Sequence, residues 1–313
     1  MTTSRFDWGA DSMKLLFVHG RSQHGKSSNK LLEEWTAPLN EKFKAFKFKA
    51  IDAKSIAVPF YGDILESLAK RVAAPVAEPD LNRRSSASYD DFLKDFAIEI
   101  AENRPDLLPA DLKLSDEGED TNPDRKRRSR YNDRLKRGPQ NWWWVLEVVR
   151  TLDENFPGVS DHTIAAFLRD VYIYLADKQV RTKIDAVVSA EITQEPTVVI
   201  AHSLGTVVAY NVLSTMKGNV PLFITLGSPL AIRAVANRLP DKKAIPEGVA
   251  AWFNAYDPQD IVALNPLRPK NFETHPAIYN QIASNFTENH HGIAGYLSNE
   301  SVVRKIAAAL KGA

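Results

Sequence analysis

The sequence contains no cysteine among its 313 residues. This absence excludes disulfide bonds, thiolate nucleophiles and cysteine-ligated metal sites, and it favours a reducing compartment. The sequence also lacks a run of about 20 apolar residues, which a membrane-spanning helix requires. Its 40 basic and 39 acidic side chains nearly cancel, so the overall charge gives no indication of a nucleic-acid partner.

The N-terminal segment also lacks the features of a secretory signal. It reads MTTSRFDWGADSMK and carries Arg5, Asp7 and Asp11 before the first short apolar run. A signal peptide has a longer uninterrupted apolar core. The sequence therefore predicts a soluble, cytoplasmic protein.

Short apolar runs predict buried strands. These runs are Lys14–Val18, Thr197–Ala201, Leu222–Leu226 and Ala250–Tyr256. A further segment, Ala45–Ile51, alternates apolar and charged residues, which predicts a strand near the edge of a sheet.

Helical patterns lie between these runs. Apolar residues spaced three and four apart predict a helix after Ser160-Asp161, and a last helix is predicted to begin at Asn299. The apolar positions of the first helix are Ile164, Phe167, Leu168, Val171 and Leu175. Strands alternating with helices predict an α/β fold with a mostly parallel sheet covered on both faces.

Residues from about 65 to 160 differ from the rest of the chain, because they carry little strand signal. We expect a largely helical insertion, a lid or cap, within a single domain of residues 1–313. Within it, residues 115–137 form a charged loop, acidic at first and strongly basic over Arg125–Arg137.

The helix that follows this loop carries three consecutive tryptophans, Trp142 to Trp144. It is apolar on nearly every side, which is typical of a buried helix or of a lid over an acyl pocket. Peripheral membrane contact through residues 125–149 is a third hypothesis.

The segment 197–213 gives the strongest indication of chemistry. Its apolar run leads into AHSLG, residues 201–205, and a helical pattern follows. A serine in such a strand–turn–helix has strained backbone geometry, and small neighbours, here Ala201 and Gly205, let the strand and helix pack closely. Ser203 is therefore predicted to be a nucleophile.

A serine nucleophile needs a base, and the base needs an acid that orients it. Two later segments supply candidates. AAWFNAYDPQDIVAL carries Asp257 and Asp260, and NFTENHHGIAGYL carries His290 and His291 before the last predicted helix.

These segments resemble the α/β-hydrolase superfamily, specifically bacterial serine esterases and lipase-like proteins, and more distantly the GPI-inositol deacylases. The similarity lies in LLFVHGRSQHGK, VPFYGD, VVIAHSLGTVVAYNVL, FITLGSPL, YDPQDIVAL and HHGIAGYL. It spans both ends of the chain but does not cover residues 65–160. The resemblance implies the α/β-hydrolase fold and serine-hydrolase chemistry, and it says little about the substrate.

The resemblance favours one member of each candidate pair. Asp260 is followed by Ile-Val, similar to the D-x-V pattern of the superfamily's acid, whereas Asp257 precedes a proline and is typical of a turn. His291 precedes GIAGYL, which resembles the H-x-x-x-G-Y-L ending of some bacterial members. The predicted triad is Ser203, Asp260 and His291, and Asp257 and His290 remain the alternatives.

The resemblance also assigns a role to the loop after the first strand. An oxyanion needs two N–H donors that converge on one point. The expected donors are the backbone N–H groups of Leu204 and Arg21, with Ser22 as the alternative to Arg21. His19 is assigned to packing and to loop hydrogen bonds.

Further residues of this region are candidate substrate contacts. They are Gly20, Ser22, Gln23, Lys26 and His202. The cations Arg21 and Lys26 are expected to place positive charge at the mouth of the site, which would favour a substrate with an anionic group.

The same loop has a competing interpretation, because Gly20–Ser27 spells G-x-x-x-x-G-K-S, the phosphate-binding P-loop pattern. A P-loop NTPase also needs a magnesium-binding aspartate at the end of a second apolar strand. Asp52 follows a run broken by lysines, and Asp177 lies in a helical pattern. Nucleotide binding is therefore kept as an alternative function.

The sequence predicts a serine hydrolase that cleaves a carboxylic ester through an acyl-enzyme, without metal or other cofactor. A small-molecule or lipid ester is the expected substrate, and no nucleic-acid partner is expected. A non-catalytic binding protein with a hydrolase fold is the other alternative, because fold does not fix function. The oligomeric state is left open.

Overall fold

The computed structural model describes residues 13–71, 87–109, 112, 140–155, 163–239, 243–269, 272, 274 and 276–311. The strands are β1 (Lys14–Val18), β2 (Ile56–Ala57), β3 (Thr197–His202), β4 (Phe223–Leu226), β5 (Trp252–Tyr256) and β6 (Tyr279–Ile282). The helices are α1 (Ser28–Ala45), α2 (Gly62–Arg71), α3 (Ala87–Asn103), α4 (Gln140–Asn155), α5 (Ile164–Ala176), α6 (Lys178–Ser189), α7 (Leu204–Thr215), α8 (Arg233–Ala236), α9 (Ile293–Ser298) and α10 (Glu300–Leu310).

The six strands form one sheet in the order β2-β1-β3-β4-β5-β6, and every neighbouring pair is parallel. The predicted α/β fold with a parallel sheet between helices is confirmed. From β1 the chain moves one way to β2, and from β3 onwards it moves the other way. In sheets of this kind, ligands bind beyond the carboxyl ends of the strands where the order reverses, which here is between β1 and β3.

Alternate residues of each strand enter two separate cores, because successive side chains point to opposite faces of a sheet. In β3, Val199 and Ala201 join the core that α2 to α8 cover, and Val198 and Ile200 join the core under α1, α9 and α10. All four are fully buried. Burial on both faces explains why these strands read as continuous apolar runs in the sequence.

The predicted edge strand over Ala45–Ile51 is wrong. Helix α1 continues to Ala45, and the chain then leaves it through Lys47, which has a left-handed φ of 58°. The N–H of Phe48 donates to the carbonyl of Phe43 (2.8 Å), the N–H of Lys47 donates to that of Lys44, and the rings of Phe43 and Phe48 are in contact. These are the two hydrogen bonds and the apolar contact of a Schellman motif at a helix C-terminus. The sequence of this helix end alternates apolar and charged residues as an edge strand does. The strand at this edge of the sheet is β2.

The structure also bears on the predicted helices. Helix α5 contains the apolar positions expected of it, and its N-cap is Thr163, whose side chain accepts a hydrogen bond from Ala166 N. The predicted cap, Ser160-Asp161, lies outside the described residues. Asn299 caps α10 as predicted, because its side chain accepts from Ser301 N. Strand β6 was missed because it is short and lies at the sheet edge, with polar and exposed residues.

Helices α3 and α4, from the predicted insertion, share the larger core with the sheet. Trp144, Val148 and Leu152 of α4 are buried there, which supports the buried-helix interpretation for this face. The charged loop of residues 115–137, with its basic run, lies outside the described residues, so membrane contact through 125–149 stays a prediction. Within the described part of the chain, no helix has the length and apolarity to cross a membrane.

If α3 belongs to the core, truncating its central aromatic side chain should weaken the whole fold. Phe96 is 1% exposed, and Phe96→Ala should lower the free energy of unfolding by about 3–5 kcal/mol. Urea unfolding followed by circular dichroism would measure the change. Asp91→Ala, at an exposed position of the same helix, is the control, and equal stability of the two variants would contradict a core role for α3.

Candidate active site

The predicted site residues lie at the carboxyl ends of the parallel strands. Ser203 directly follows β3, and the loop that begins at His19 directly follows β1, its neighbour in the sheet. Asp257 and Asp260 follow β5, and His290 and His291 lie in the loop after β6. The topology therefore places segments that are far apart in sequence at the same edge of the sheet.

Ser203 occupies the sharp turn between β3 and α7. Its φ of 56° and ψ of −132° belong to a region that non-glycine residues rarely adopt. Its N–H donates to the carbonyl of Leu226 (3.1 Å), and its carbonyl accepts from the N–H and the hydroxyl of Thr206. The turn is thus held by hydrogen bonds on both sides of the strained residue.

Two glycines make room for this turn. A Cβ on Gly205 would lie 2.3 Å from the carbonyl oxygen of Val18, so no side chain fits where α7 meets β1. A Cβ on Gly20 would lie 2.8 Å from the Cβ of Ser203. The steric role predicted for Gly205 is confirmed, and the β1 loop contacts Ser203 directly.

Asp260 and His291 form a hydrogen-bonded pair. His291 Nδ1 lies 2.8 Å from Asp260 Oδ2. Because a carboxylate only accepts hydrogen bonds, Nδ1 carries the proton, and Nε2 of the neutral ring is left as an acceptor. The other oxygen, Oδ1, accepts from the N–H groups of Val262 (2.9 Å) and Ala263 (3.3 Å). The carboxylate is fully buried and held at both oxygens.

Two residues that lie against this pair were not predicted from the sequence. They are Tyr296, in the motif HHGIAGYL, and Gly227, in the motif FITLGSPL. The hydroxyl of Tyr296 donates to Asp260 Oδ2 at 2.7 Å. Burial, and next the nearby Asp260 carboxylate, raise the pKa of Tyr296 well above its ordinary value, so it remains a donor. Gly227 has a φ of 55°, and a Cβ there would lie 3.0 Å from both Asp260 Oδ2 and His291 Nδ1.

The alternative pair, Asp257 and His290, has a different environment. Asp257 Oδ2 accepts from Asn285 N (2.7 Å), and its Oδ1 accepts from Gln259 N (2.8 Å). His290 Nδ1 lies 3.6 Å from that carboxylate and 3.0 Å from the carbonyl of Asn285. These contacts brace the loop that carries His291.

One expected oxyanion donor, Leu204, directly follows Ser203, and the other, Arg21, lines the same cavity as Ser203. Leu204 is the first residue of α7, so its N–H cannot be used within the helix. Among the described residues, neither this N–H nor that of Arg21 has a hydrogen-bond partner. The alternative donor, Ser22, follows with a φ of 56°. Within the described residues both N–H groups are thus available as donors, and that of Leu204 lies at the positive end of a helix.

The expected positive charge at the mouth is offset by carboxylates. Arg21 Nε donates to Asp170 Oδ2 of α5 at 2.8 Å, and Lys26 Nζ donates to Glu34 Oε2 of α1 at 2.7 Å. Gln23 is also engaged, since its Nε2 donates to the carbonyl of Arg21 at 2.8 Å. Asp170 is also shared with Arg169, and a preference of the site for anionic substrates stays a prediction.

A cavity of about 230 Å³ joins these elements. Ser203, His291 and Asp260 line it together with Gly20, Arg21 and His202. Its lining includes neither Asp257 nor His290. Apolar side chains form another part of its wall, from α5, from the loop after Asp260 and from α9; they are Ile164, Phe167, Ile261, Val262 and Ile293.

Two further histidines near the site, His19 and His202, form hydrogen bonds to backbone groups. His19 is 1% exposed, its Nδ1 donates to the carbonyl of Gly20 (2.7 Å), and its Nε2 accepts from Tyr61 N (3.1 Å). Burial lowers the pKa of His19 to about 4. His202 Nε2 donates to the carbonyl of His291 (2.7 Å), and burial, followed by the nearby His291, lowers its pKa.

The buried, neutral His19 should make the fold sensitive to acid. Its pKa is lower in the folded state than the unfolded value of about 6.5, so the unfolded chain binds the proton first as the pH falls. Its contribution to stability is complete above about pH 6.5 and is lost towards about pH 4. Between about pH 7 and about pH 5 the loss should be about 2 kcal/mol.

Urea unfolding of His19→Gln at both pH values would test this. On acidification the free energy of unfolding of the variant should fall by about 2 kcal/mol less than that of the parent protein. His202, whose pKa is also lowered, is present in both proteins and does not contribute to this difference. His24→Gln, in the exposed part of the same loop, is the control. Equal pH dependence of His19→Gln and the parent would contradict the prediction.

In the described part of the chain, no three His, Asp or Glu side chains are grouped so that they could hold a metal ion. The sequence matches no protein-family model and no curated protein. The case for a function therefore rests on the geometry of the cavity and on the residues that line it.

Proposed function

We propose that the protein is a serine hydrolase that cleaves a carboxylic ester, and that its parallel sheet is that of an α/β-hydrolase. One observation carries the proposal: the hydrogen-bonded Asp260–His291 pair shares a cavity with Ser203, which stands in a strained turn at the end of a parallel strand. A serine, a histidine and a buried carboxylate in this arrangement are the parts of a triad.

The first half of the reaction uses the tautomer of His291 described above. Nε2 accepts the hydroxyl proton of Ser203 as Oγ attacks the ester carbonyl carbon, and the carbonyl π electrons move to oxygen. Asp260 stabilises the imidazolium that results, through its bond to Nδ1–H. The oxyanion accepts hydrogen bonds from the N–H groups of Leu204 and Arg21.

The second half reverses these proton movements. The C–O bond to the leaving group breaks, and His291 Nε2 gives its proton to the departing alcohol. Water then enters, loses a proton to the same nitrogen and attacks the acyl-enzyme. The carboxylic acid leaves, and Ser203 regains its proton.

The cavity favours a neutral ester with an apolar acyl group. The side chains of Ile164, Phe167 and Val262 offer an apolar wall near Ser203, and the ionic side chains at the mouth are paired. Burial of apolar acyl carbons against that wall contributes binding energy without desolvating a charge.

Contacts within the Gly20–Ser27 loop oppose the nucleotide alternative. The N–H of Gly25 donates to the carboxylate of Asp63, a negative group where a phosphate would bind. Lys26 is paired with Glu34, and the hydroxyl of Ser27 caps α1 by accepting from Lys30 N. A P-loop leaves the lysine and these N–H groups for the phosphates.

A fluorophosphonate probe tests the proposal directly. Attack of Ser203 on phosphorus expels fluoride and leaves a stable covalent adduct. We expect the protein to be labelled and Ser203→Ala to lose both labelling and ester hydrolysis, the latter by at least about 10³-fold. Ser27→Ala should retain labelling as a matched control.

The other results discriminate among the alternatives. A folded protein that is not labelled would contradict the serine-hydrolase proposal. Nucleotide binding that Lys26→Ala abolishes would support the NTPase instead. Failure of both assays would leave the non-catalytic binding protein.

The two Asp–His pairs can be separated by mutation. Asp260→Asn should lower kcat by about 10⁴-fold, because an amide does not hold His291 in the required tautomer or stabilise its charged form. Asp257→Asn should reduce kcat far less and should mainly lower the melting temperature, because Asp257 braces the loop. Steady-state kinetics and thermal unfolding of both variants would measure this, and a larger kcat loss in Asp257→Asn would reverse the assignment.

A further inference from the structure

The Arg21–Asp170 ion pair connects the β1 loop to helix α5. Arg21 Nε lies 2.8 Å from Asp170 Oδ2, and the two side chains are only 10% and 5% exposed. The other carboxylate oxygen, Oδ1, accepts from Nε and a terminal nitrogen of Arg169 at 2.9 and 2.8 Å. A carboxylate buried between two guanidinium groups fixes the position of Arg21 far more firmly than a surface pair would.

The rest of Arg21 is constrained as well. Its carbonyl accepts a hydrogen bond from the side chain of Gln23, and the residue after it has a left-handed φ of 56°. The side chain and carbonyl of Arg21 are thus both engaged, whereas its N–H has no partner among the described residues. Two fixed attachments therefore determine where this N–H lies.

Helix α5 also forms part of the cavity wall. Phe167 lines the cavity three residues before Asp170, which places the two side chains on neighbouring turns of one face. Helix α5 therefore both contacts the cavity and holds the β1 loop. A buried and paired guanidinium is also poorly suited to bind substrate, since Arg21 would have to leave Asp170 to do so.

We propose that the Arg21–Asp170 pair is a positioning device that holds the backbone N–H of Arg21 in the oxyanion hole. The inference rests on the proposed serine-hydrolase function and goes beyond it. Arg21 then acts through its main chain, and its side chain and Asp170 are positioning groups that contact neither the ester nor the reacting atoms. The pair contributes to the rate by fixing a donor before the oxyanion forms.

The test replaces the side chain and leaves the backbone donor in place. Lysine in Arg21→Lys keeps the charge but lacks Nε–H and the planar fork. We expect kcat to fall at least about 10-fold, approaching about 10²-fold if the loop moves by about 1 Å. KM should change less than about two-fold, because the loss concerns the transition state.

A second readout separates an oxyanion effect from a general disturbance. An alkyl trifluoromethyl ketone adds to Ser203 Oγ, and its carbonyl oxygen becomes an oxyanion like that of the ester. The affinity of Arg21→Lys for this ketone should fall in the same proportion as kcat/KM. A purely structural role would lower the melting temperature without this parallel loss.

Two further variants control for folding. Arg21→Met/Asp170→Leu removes both charges of the pair, which a buried pair often tolerates without loss of stability, and leaves Arg169, whose side chain is 30% exposed, to be solvated. The variant should show the same kcat loss at a near-normal melting temperature. Lys14→Met breaks the Lys14–Glu191 pair (2.9 Å) at the opposite end of β1 and should leave kcat within about two-fold of the parent protein.

The outcomes are distinct. Normal kcat and ketone affinity in the folded double variant, with Ser203 still labelled by the fluorophosphonate, would overturn the positioning role alone. A rise in KM with kcat unchanged would also overturn it, because Arg21 would then act on substrate binding. A parent protein that neither hydrolyses esters nor is labelled would overturn the proposed function, and the positioning role with it.

Discussion

The strained turn at Ser203 is the constraint on which the rest of the site depends. A non-glycine residue at a φ of 56° and ψ of −132° costs on the order of 1–3 kcal/mol, so the surroundings must enforce it. Gly205 lets α7 approach β1 to within van der Waals contact of the backbone, and Gly20 lets the β1 loop meet Ser203. Thr206 also bonds to the hydroxyl of the buried Ser228 (2.8 Å), which ties the turn to the end of β4. Strand, helix and both neighbouring loops are therefore fitted around one residue.

The second half of the site contains two Asp–His pairs, and their contacts differ. Asp260 receives four donors, two on each oxygen, and is held for His291. Asp257 and His290 instead converge on Asn285, and Asn285 Nδ2 donates to the carbonyl of Gly292 (2.9 Å) beside His291. Tyr296 contacts the loop after β5 at both aspartates, because its hydroxyl accepts from Asp257 N and donates to Asp260 Oδ2. Asp260 and His291 thus line the cavity, whereas Asp257 and His290 hold the loop that carries His291.

The predictions from sequence succeeded where the signal was local. The strand and helix around Ser203 carry an unbroken apolar run and a steric requirement for small residues, and both can be read without knowing the fold. The prediction of an edge strand over Ala45–Ile51 was wrong. The helix end there alternates phenylalanine with lysine, which is the same apolar–charged alternation that an edge strand shows. Asp170 gave no signal, since its partner Arg21 is 149 residues away and only the packing of α5 joins them. Tyr296 and Gly227 stood in recognised motifs, but their contacts with Asp260 arise only after the sheet brings β4 and β5 together.

The electrostatics of the site follow from these pairings. Had Arg21 and Lys26 been unpaired, full positive charges near Ser203 would have stabilised any anion, including carboxylate products. Asp170 and Glu34 pair with these two cations, so in the proposed reaction the N–H groups of Leu204 and Arg21 are the donors that stabilise the oxyanion. N–H dipoles act only over a short range and in one direction. They stabilise an oxygen that becomes charged where they point more than they stabilise a carboxylate elsewhere in the cavity. In the proposed reaction a neutral ester binds without displacing an ion, and the two N–H groups act when the carbonyl oxygen acquires its charge.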